Sequence, residues 1–443
     1  MKGFIILGVF LAGIILNLPI FLILLLSSII PILLEPALRL DVISTVFYQN
    51  LDSFTLLAIP LYIYLGNLLS GGGISDDLIF ISKVFIGRLR GSLAHVNVLA
   101  SIFFGGISGS SVADVASLGP VLIPAMKKRG YDPEFTATLT AASSIIGNVI
   151  PPSLLMIVYG AVVQTSIAAL FIAGIIPGLF IGLVQMTYSY VYAKKKNIDR
   201  TLEITEGEAP EKERRSKILV QAYLKSITPL SIFLIVIGGL TFGIFTPTEA
   251  AGIAVAYTVL VLFLFHRKRE IAFYLEHAKI TALATGQIFF LIMSATLFSW
   301  ILTYFQVLHP LIELLKGIPN INPELFLILI TIVYLLLGTF MEANSIVLIV
   351  VPLVLPIVEY LKIDLIVFGI ITVIATRVGS ITPPYGLCSM MAAEIAGTKV
   401  SKMTKYIVIF VGLFFLNLLV CIYFPEVILF LPKILLPKAW IGR

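Results

Sequence analysis

Apolar stretches of about 20 residues recur along this chain, separated by short clusters of lysine and arginine. No other feature constrains the fold as strongly. A backbone in hydrocarbon must satisfy its own polar groups, so such stretches become helices that cross a bilayer or pack within one. Of the 443 residues, 59% are hydrophobic and 12% charged, against roughly 25% charged in a soluble domain. The expectation is an all-α polytopic membrane protein. The net charge of +6 is then no sign of nucleic-acid binding. Its basic residues sit between apolar stretches, as at Lys194, Lys195 and Lys196 and at Arg267, Lys268 and Arg269, the pattern of cytoplasmic loops. Cys388 and Cys421 lie in apolar segments and suggest neither a disulfide framework nor a metal site.

The run from Lys2 to Leu34 is too long for a signal-peptide core, and no small-residue cleavage site comes after it, so it is expected to be retained. Asn17 and Pro19 lie near its middle, and two short spans fit better than one. Basic loops orient the next segments. Lys83, Arg88 and Arg90, then Lys127, Lys128 and Arg129, put both ends of 88–129 in the cytoplasm. The pieces 92–107 and 112–126 are short for spans and meet at "SGSS" (108–111). A re-entrant hairpin is expected, with two full spans as the alternative. Segment 134–166 is broken at Pro151-Pro152, and 170–192 returns to the cytoplasm. The charged stretch 193–217 is expected to be a solvated linker.

In the second half, spans 226–245 and 250–265 turn at "TPTEA", where Glu249 suits a helix start. An amphipathic stretch near 270–280 is expected at the interface, then a span from 283 to 305 and a loop, 306–323, with Pro310, Pro319 and Pro323. A second hairpin, 324–361, centres on "GTFMEAN" (338–344), and segment 365–396 is broken at Pro383-Pro384. Lys399, Lys402 and Lys405 mark cytoplasm, 406–424 is the last span, and 426–443, with Trp440, resembles an interfacial tail.

The halves keep register. At a constant offset of 232 residues (383 − 151), Pro120, Pro124, Asp132, Gly147, Pro151 and Pro152 map onto Pro352, Pro356, Asp364, Gly379, Pro383 and Pro384. The hairpins open to opposite sides on the charge-based topology. The pattern is that of an inverted-topology repeat, 1–192 and 218–425, which is a transporter architecture. It accounts for the double prolines. Proline inside a helix costs ~3 kcal/mol or more. A broken helix leaves free carbonyls on one half and free amides on the other, tolerated where they line a cavity. Carbonyls suit a small hard cation and amides an anion.

"GGISGSSVAD" (105–114) and "TAASSIIGNVIPPS" (140–153) are rich in small hydroxyl residues. They serve either close helix packing or presentation of hydroxyls and carbonyls to an ion. Neither is a phosphate loop or a hydrolase elbow. Asp114, Glu342 and Arg377 are intramembrane ionisable residues and so functional candidates. Arg377 could attract an anionic substrate, pair with Glu342 or snorkel. His95, His266, His277 and His309 show no metal-ligand spacing, and His95 is expected to be a packed hairpin residue. No catalytic constellation is visible, so an enzyme is not expected.

These motifs, with "LLAIPLYIYLGNLLSGGGI" (56–74), "GIFTPTEAAG" (243–252) and "GSITPPYG" (379–386), resemble the large membrane subunit of tripartite ATP-independent periplasmic (TRAP) transporters over nearly the whole chain. The resemblance implies an elevator-type secondary transporter of the wider ion-transporter superfamily, usually sodium-driven, with no cofactor other than coupling ions. It implies a bacterial inner-membrane location, a separate small four-helix membrane subunit and a periplasmic solute-binding protein. The substrate would be a small carboxylate-bearing solute such as a C4-dicarboxylate or sialic acid. One sodium is implied at Ser108, Gly109, Ser110, Ser143, Ser144, Gly147 and Pro151, and a second at Gly338, Glu342, Gly379, Thr382 and Pro383. Substrate is implied between them, near Ser111, Asn148, Pro152, Ser153, Arg377 and Pro384. The family more often carries Asp at position 342 and Asn at position 375, where this chain has Glu342 and Ala375. The competing readings are a self-sufficient sodium- or proton-coupled anion symporter, which needs no binding protein, and a channel.

Overall fold

The computed structural model describes residues 2–16, 18–86, 89–198, 223, 225–307, 313, 322–384 and 386–436. Asn17, Arg88, His309, Pro310, Pro319, Trp440 and most of the expected linker (193–217) lie outside the described residues. Among the described residues every regular element is helical. The first half contains α1 (Lys2–Ile15), α2 (Ile20–Leu33), α3 (Asp41–Leu51), α4 (Ala58–Gly71), α5 (Ile74–Ile86), α6 (Ser92–Ser108), α7 (Ser111–Lys128), α8 (Pro133–Ser144), α9 (Ile146–Val149), α10 (Leu154–Val163) and α11 (Ile167–Lys195). The second half contains α12 (Lys225–Thr241), α13 (Pro247–Leu264), α14 (Ile271–Tyr304), α15 (Pro323–Gly338), α16 (Ala343–Tyr360), α17 (Leu365–Gly379), α18 (Leu387–Ala396), α19 (Val400–Tyr423) and α20 (Glu426–Leu435). Six helices are long and apolar enough to cross a membrane, or seven if the bent pair Pro133–Val149 and Leu154–Val163 is one span. The chain is a multi-pass membrane protein. Large apolar side chains such as Phe4, Leu183, Phe263 and Leu336 are exposed, as hydrocarbon-facing residues are.

Local chemistry sets the helix ends. Asp132 precedes α8 and Asp364 precedes α17, and in α17 the Asp364 carboxylate caps Ile366 and Val367 N–H at 2.8 and 3.2 Å. Thr246 and Glu249 form a reciprocal capping box at the start of α13, behind Pro247 at its first position. Glu249 is therefore a helix-start residue, as expected. Pro19 starts α2 and divides the N-terminal run into two short helices that pack on each other.

One expectation changes. The stretch 270–280 does not lie apart from a span beginning at 283, because α14 runs unbroken for 34 residues. No proline interrupts it, Gly286 is its only glycine, and a started helix gains one hydrogen bond per added residue. Its polar first turns are held from within and by α4: His277 Nδ1 contacts Phe273 O at 2.7 Å, and Asn67 Nδ2 donates to Thr281 Oγ1 at 3.0 Å. Helices α3, α4 and α5 had no counterpart in the span assignment, which placed none between 34 and 83; α3 and α5 are short and mix charged with apolar residues, whereas α4 is apolar and part of a candidate span, Phe54–Gly71.

Two groups of helices result. In one, α2, α3 and α4 pack on α14, and α4 also packs on α13. In the other, α6 and α7 form a helical hairpin against α8 and α9, while α15 lies along α17. The segments after the breaks then cross over. Helix α10 packs on α16 and α17, and α18 packs on α7 and α8. Tyr159 Oη donates to Leu365 O at 2.7 Å on one side, and Lys127 Nζ donates to Ala396 O at 2.7 Å on the other. Each half thus completes the core of its counterpart.

At the basic end of this group, Asp132 ties three elements together. Its carboxylate accepts from Tyr406 Oη at 2.7 Å and Lys196 Nζ at 3.0 Å, and its N–H donates to Tyr192 Oη at 3.1 Å. Partial burial raises its pKa, but the bonds from Tyr406, Lys196 and Tyr192 outweigh that and hold it below the usual aspartate value. A lowered carboxylate pKa contributes stability above the unfolded-state value near 3.9, and that stability is lost as pH falls through the folded-state value. Asp132→Asn is expected to flatten the decline in Tm between about pH 5 and pH 3, measured in detergent. A mutant profile parallel to wild type would remove Asp132 from that account.

Candidate transport site

The two hairpins meet the two breaks through glycine. Gly105 on α6 faces Gly147 on α9 so closely that a Cβ on Gly147 would stand 2.5 Å from Gly105 Cα. The second half repeats the contact one residue out of register: a Cβ on Gly338, at the end of α15, would stand 2.8 Å from Gly379 Cα and 2.7 Å from Thr376 O. Both are backbone-to-backbone crossings that only glycine permits.

At the first tip, Gly109 ends α6 with φ +61 and its N–H donates to Gly105 O at 3.0 Å. Ser110 caps α7, accepting from Ala113 N–H at 3.4 Å. The tip rests on the break, since a Cβ on Gly106 would stand 3.3 Å from Pro151 O and one on Gly109 would stand 2.9 Å from Pro152 O. Ser153 caps α10. Pro151 and Pro152 lack the N–H groups that would bond the Gly147 and Asn148 carbonyls in a continuous helix. The break is buried: Ser111, Ser143, Ser144, Asn148 and Ser153 have no exposed surface.

The second break is built differently. Thr382 N–H donates to Gly379 O at 2.9 Å and Cys388 N–H to Ser380 O at 3.1 Å, so the corresponding carbonyls find donors. Thr382 and Pro383 are half-buried and Pro384 is exposed. Both Pro–Pro bonds are cis. At the second tip Glu342 caps α16, taking Asn344 N–H at 2.8 Å and Nδ2 at 3.0 Å. Arg377 Nη1 lies 3.6 Å from Glu342 Oε1. The arginine is buried and the glutamate half-open, with side-chain exposures of 8% and 42%.

A cavity of about 160 Å³ lies between the tips. Its walls include Val112 from α7, Glu342 and Ala343 from the second tip, Arg377 from α17, and Ser380 and Cys388 from the second break. The residues assigned to substrate by resemblance therefore separate. Arg377 reaches this cavity. Ser111 and Asn148 instead bond each other beneath the first tip, Asn148 Nδ2 donating to Ser111 Oγ. Ser143 Oγ donates to Asn97 Oδ1 at 3.1 Å and accepts from Ser101 Oγ at 2.9 Å.

Residues 7–427 match the family described as "Tripartite ATP-independent periplasmic transporter, DctM component". The chain belongs to that family. It is 36% identical over 389 residues to the sialic acid TRAP transporter permease protein SiaT of Haemophilus influenzae, covering 88% of this chain and 61% of SiaT. It is 35% identical to the sialic acid TRAP transporter large permease protein SiaM of Vibrio cholerae, covering 87% and 88%. It is 33% identical to the C4-dicarboxylate TRAP transporter large permease protein DctM of Pseudomonas aeruginosa, covering 89% and 88%. Among solved structures, the fold matches the YdaH transporter of Alcanivorax borkumensis with a TM-score of 0.60 at 16% identity, over 91% of this chain and 96% of that one.

Membership makes the chain a permease subunit of a transporter and not an enzyme. Several residues that line the cavity or bond beneath the first tip were not named as candidates by sequence reading. Asn97 and Ser101 are polar positions four apart on an apolar helix, a spacing that could have flagged one buried face. Val112 and Ser380 lie inside the motifs at 105–114 and 379–386, and Cys388 lies outside them, but only the crossing of the halves brings the three to one cavity.

Proposed function

We propose that this chain is the large permease of a sodium-coupled, binding-protein-dependent importer of a small carboxylate-bearing solute. The observation that carries this reading is the pair of hairpin tips seated on two proline-broken helices around a cavity with a buried arginine. The substrate class draws on the names of the relatives, which transport sialic acid and C4-dicarboxylates. In this reading the halves are inverted repeats and the hairpins are re-entrant. The hairpin group moves as an elevator against the group built on α14. The sodium ions sit at the two tips: one at Ser108, Gly109, Ser110, Ser143, Ser144, Gly147 and Pro151, the other at Gly338, Glu342, Gly379, Thr382 and Pro383. Arg377 meets a solute carboxylate as a charged donor, in exchange for its long contact to Glu342. A separate small membrane subunit, a periplasmic solute-binding protein and a bacterial inner membrane complete the assembly.

The test is uptake into proteoliposomes holding this chain and its small subunit, with solute-loaded binding protein and an inward sodium gradient. Uptake that needs both supports the reading. Equal uptake without binding protein would replace it with a self-sufficient symporter. Arg377→Gln is expected to raise the half-saturating solute concentration tenfold or more, since hydrogen bonds to charged groups are worth ~1.5–3 kcal/mol. Unchanged uptake kinetics would make Arg377 structural.

A further inference from the structure

A cavity of about 350 Å³ lies between α12 and the helices α5, α6 and α11. Among the described residues its walls hold no polar side chain. Phe103 comes from α6, Ile150 from the entry to the first break, Ile175 and Leu179 from α11, and Phe233 and Ile237 from α12. Two further facts fix where it opens. Leu179 and Leu230 are walls of the cavity and are also exposed, at 49% and 46%. Exposed apolar side chains on this chain face hydrocarbon. The cavity is therefore continuous with the lipid-facing surface.

Its extent matches one leaflet. Along α12 the walls run from Pro229 to Ile237, a rise of about 12 Å over eight residues (237 − 229). Half of the hydrocarbon core is about 15 Å. Four residues before Pro229, Lys225 pairs with Asp77 at 2.7 Å, and His266 Nε2 lies 3.2 Å from the same carboxylate. Leu78, next to Asp77 on α5, is a wall of the cavity. A charged cluster of this kind marks the headgroup level. Water is a poor occupant, because a buried water needs two to four polar partners. An empty space would forfeit the dispersion contacts of its walls. A lipid tail is apolar, is narrow and stands at the mouth.

We propose that this cavity seats one acyl chain of a bilayer phospholipid, with the headgroup at the level of Lys225. The seat is independent of which solute or ion the permease carries. It bears on the first hairpin all the same. A Cβ on Gly106, next to that tip, would stand 3.5 Å from Ile150 Cγ2 and 3.5 Å from Phe233 Cδ2. The side chains that press on the tip are thus walls of the cavity, and the acyl chain backs the tip and the break from the membrane side.

The experiment is quenching of tryptophan fluorescence by phosphatidylcholine brominated along its acyl chains, in vesicles holding the purified chain. Trp300→Phe with Trp440→Phe removes the two native tryptophans. In that background Phe103→Trp reports from the cavity, Phe263→Trp from the lipid-facing surface, and Phe171→Trp from the fully buried core. Phe103→Trp is expected to be quenched at least threefold more than Phe171→Trp and to approach Phe263→Trp. Quenching no greater than that of Phe171→Trp overturns the seat. Adding Ile175→Phe, which fills the cavity, is expected to halve the quenching of Phe103→Trp. No change would mean that lipid reaches residue 103 without entering the cavity, and overturns the seat too. Quenching that disappears when the small membrane subunit is added gives the cavity to that subunit and not to lipid. Native mass spectrometry needs no tryptophan and is the second reading. Wild type is expected to carry one phospholipid through detergent exchange, and Ile175→Phe to retain it at least fivefold less; equal retention overturns the seat.

Discussion

Gly147→Ala is expected to reduce solute uptake at least tenfold, while the chain still inserts and purifies. The added methyl would stand 2.5 Å from Gly105 Cα, and backbone on both sides leaves no flexible side chain to give way. Overpacking of this kind costs ~1–3 kcal/mol, and relief requires that the hairpin move off the break. The tip oxygens then lose their positions relative to Pro151. The same substitution at Gly379 strikes the matching crossing, where a methyl would run into Gly338. Uptake in proteoliposomes, with size-exclusion profile and Tm as folding controls, checks both. Gly8→Ala serves as a control, since a Cβ there meets nothing within 4 Å. Wild-type uptake by Gly147→Ala would mean that the crossing is packing alone.

The double substitution Pro151→Ala with Pro152→Ala is the second large effect expected. It restores two N–H groups, which can bond the carbonyls of Gly147 and Asn148 and extend α9 through the break. The fold should persist, because removing proline from a helix is not destabilising locally. Transport should fall by an order of magnitude or more if these carbonyls serve the proposed sodium site, because the restored N–H groups capture them. The corresponding change at Pro383 and Pro384 should do less to ion binding, since the Gly379 and Ser380 carbonyls already accept from Thr382 and Cys388. Sodium-dependent uptake equal to wild type in the first variant would show that the break does not supply ion ligands.

Much of the architecture follows from local sequence rules. Apolar runs and basic loops determined where helices form, since an unsatisfied backbone in hydrocarbon leaves no alternative. The prolines and the 232-residue register marked the paired breaks, and "TPTEA" marked a helix start, because capping and proline geometry act over a few residues. Local rules also divided α14, separating its polar first turns from the span that follows, where the structure runs one helix through both and Asn67 on α4 bonds Thr281.

What the tertiary structure alone decided is which residues meet. The exchange of α10 and α18 between the halves, the pairing of Gly105 with Gly147, and the separation of Arg377 from Ser111 and Asn148 all depend on contacts between distant segments. Composition and spacing identify residues that can bind an ion or a carboxylate, because that is side-chain chemistry. The company each keeps depends on how whole helices pack, and packing is a property of the full set of surfaces.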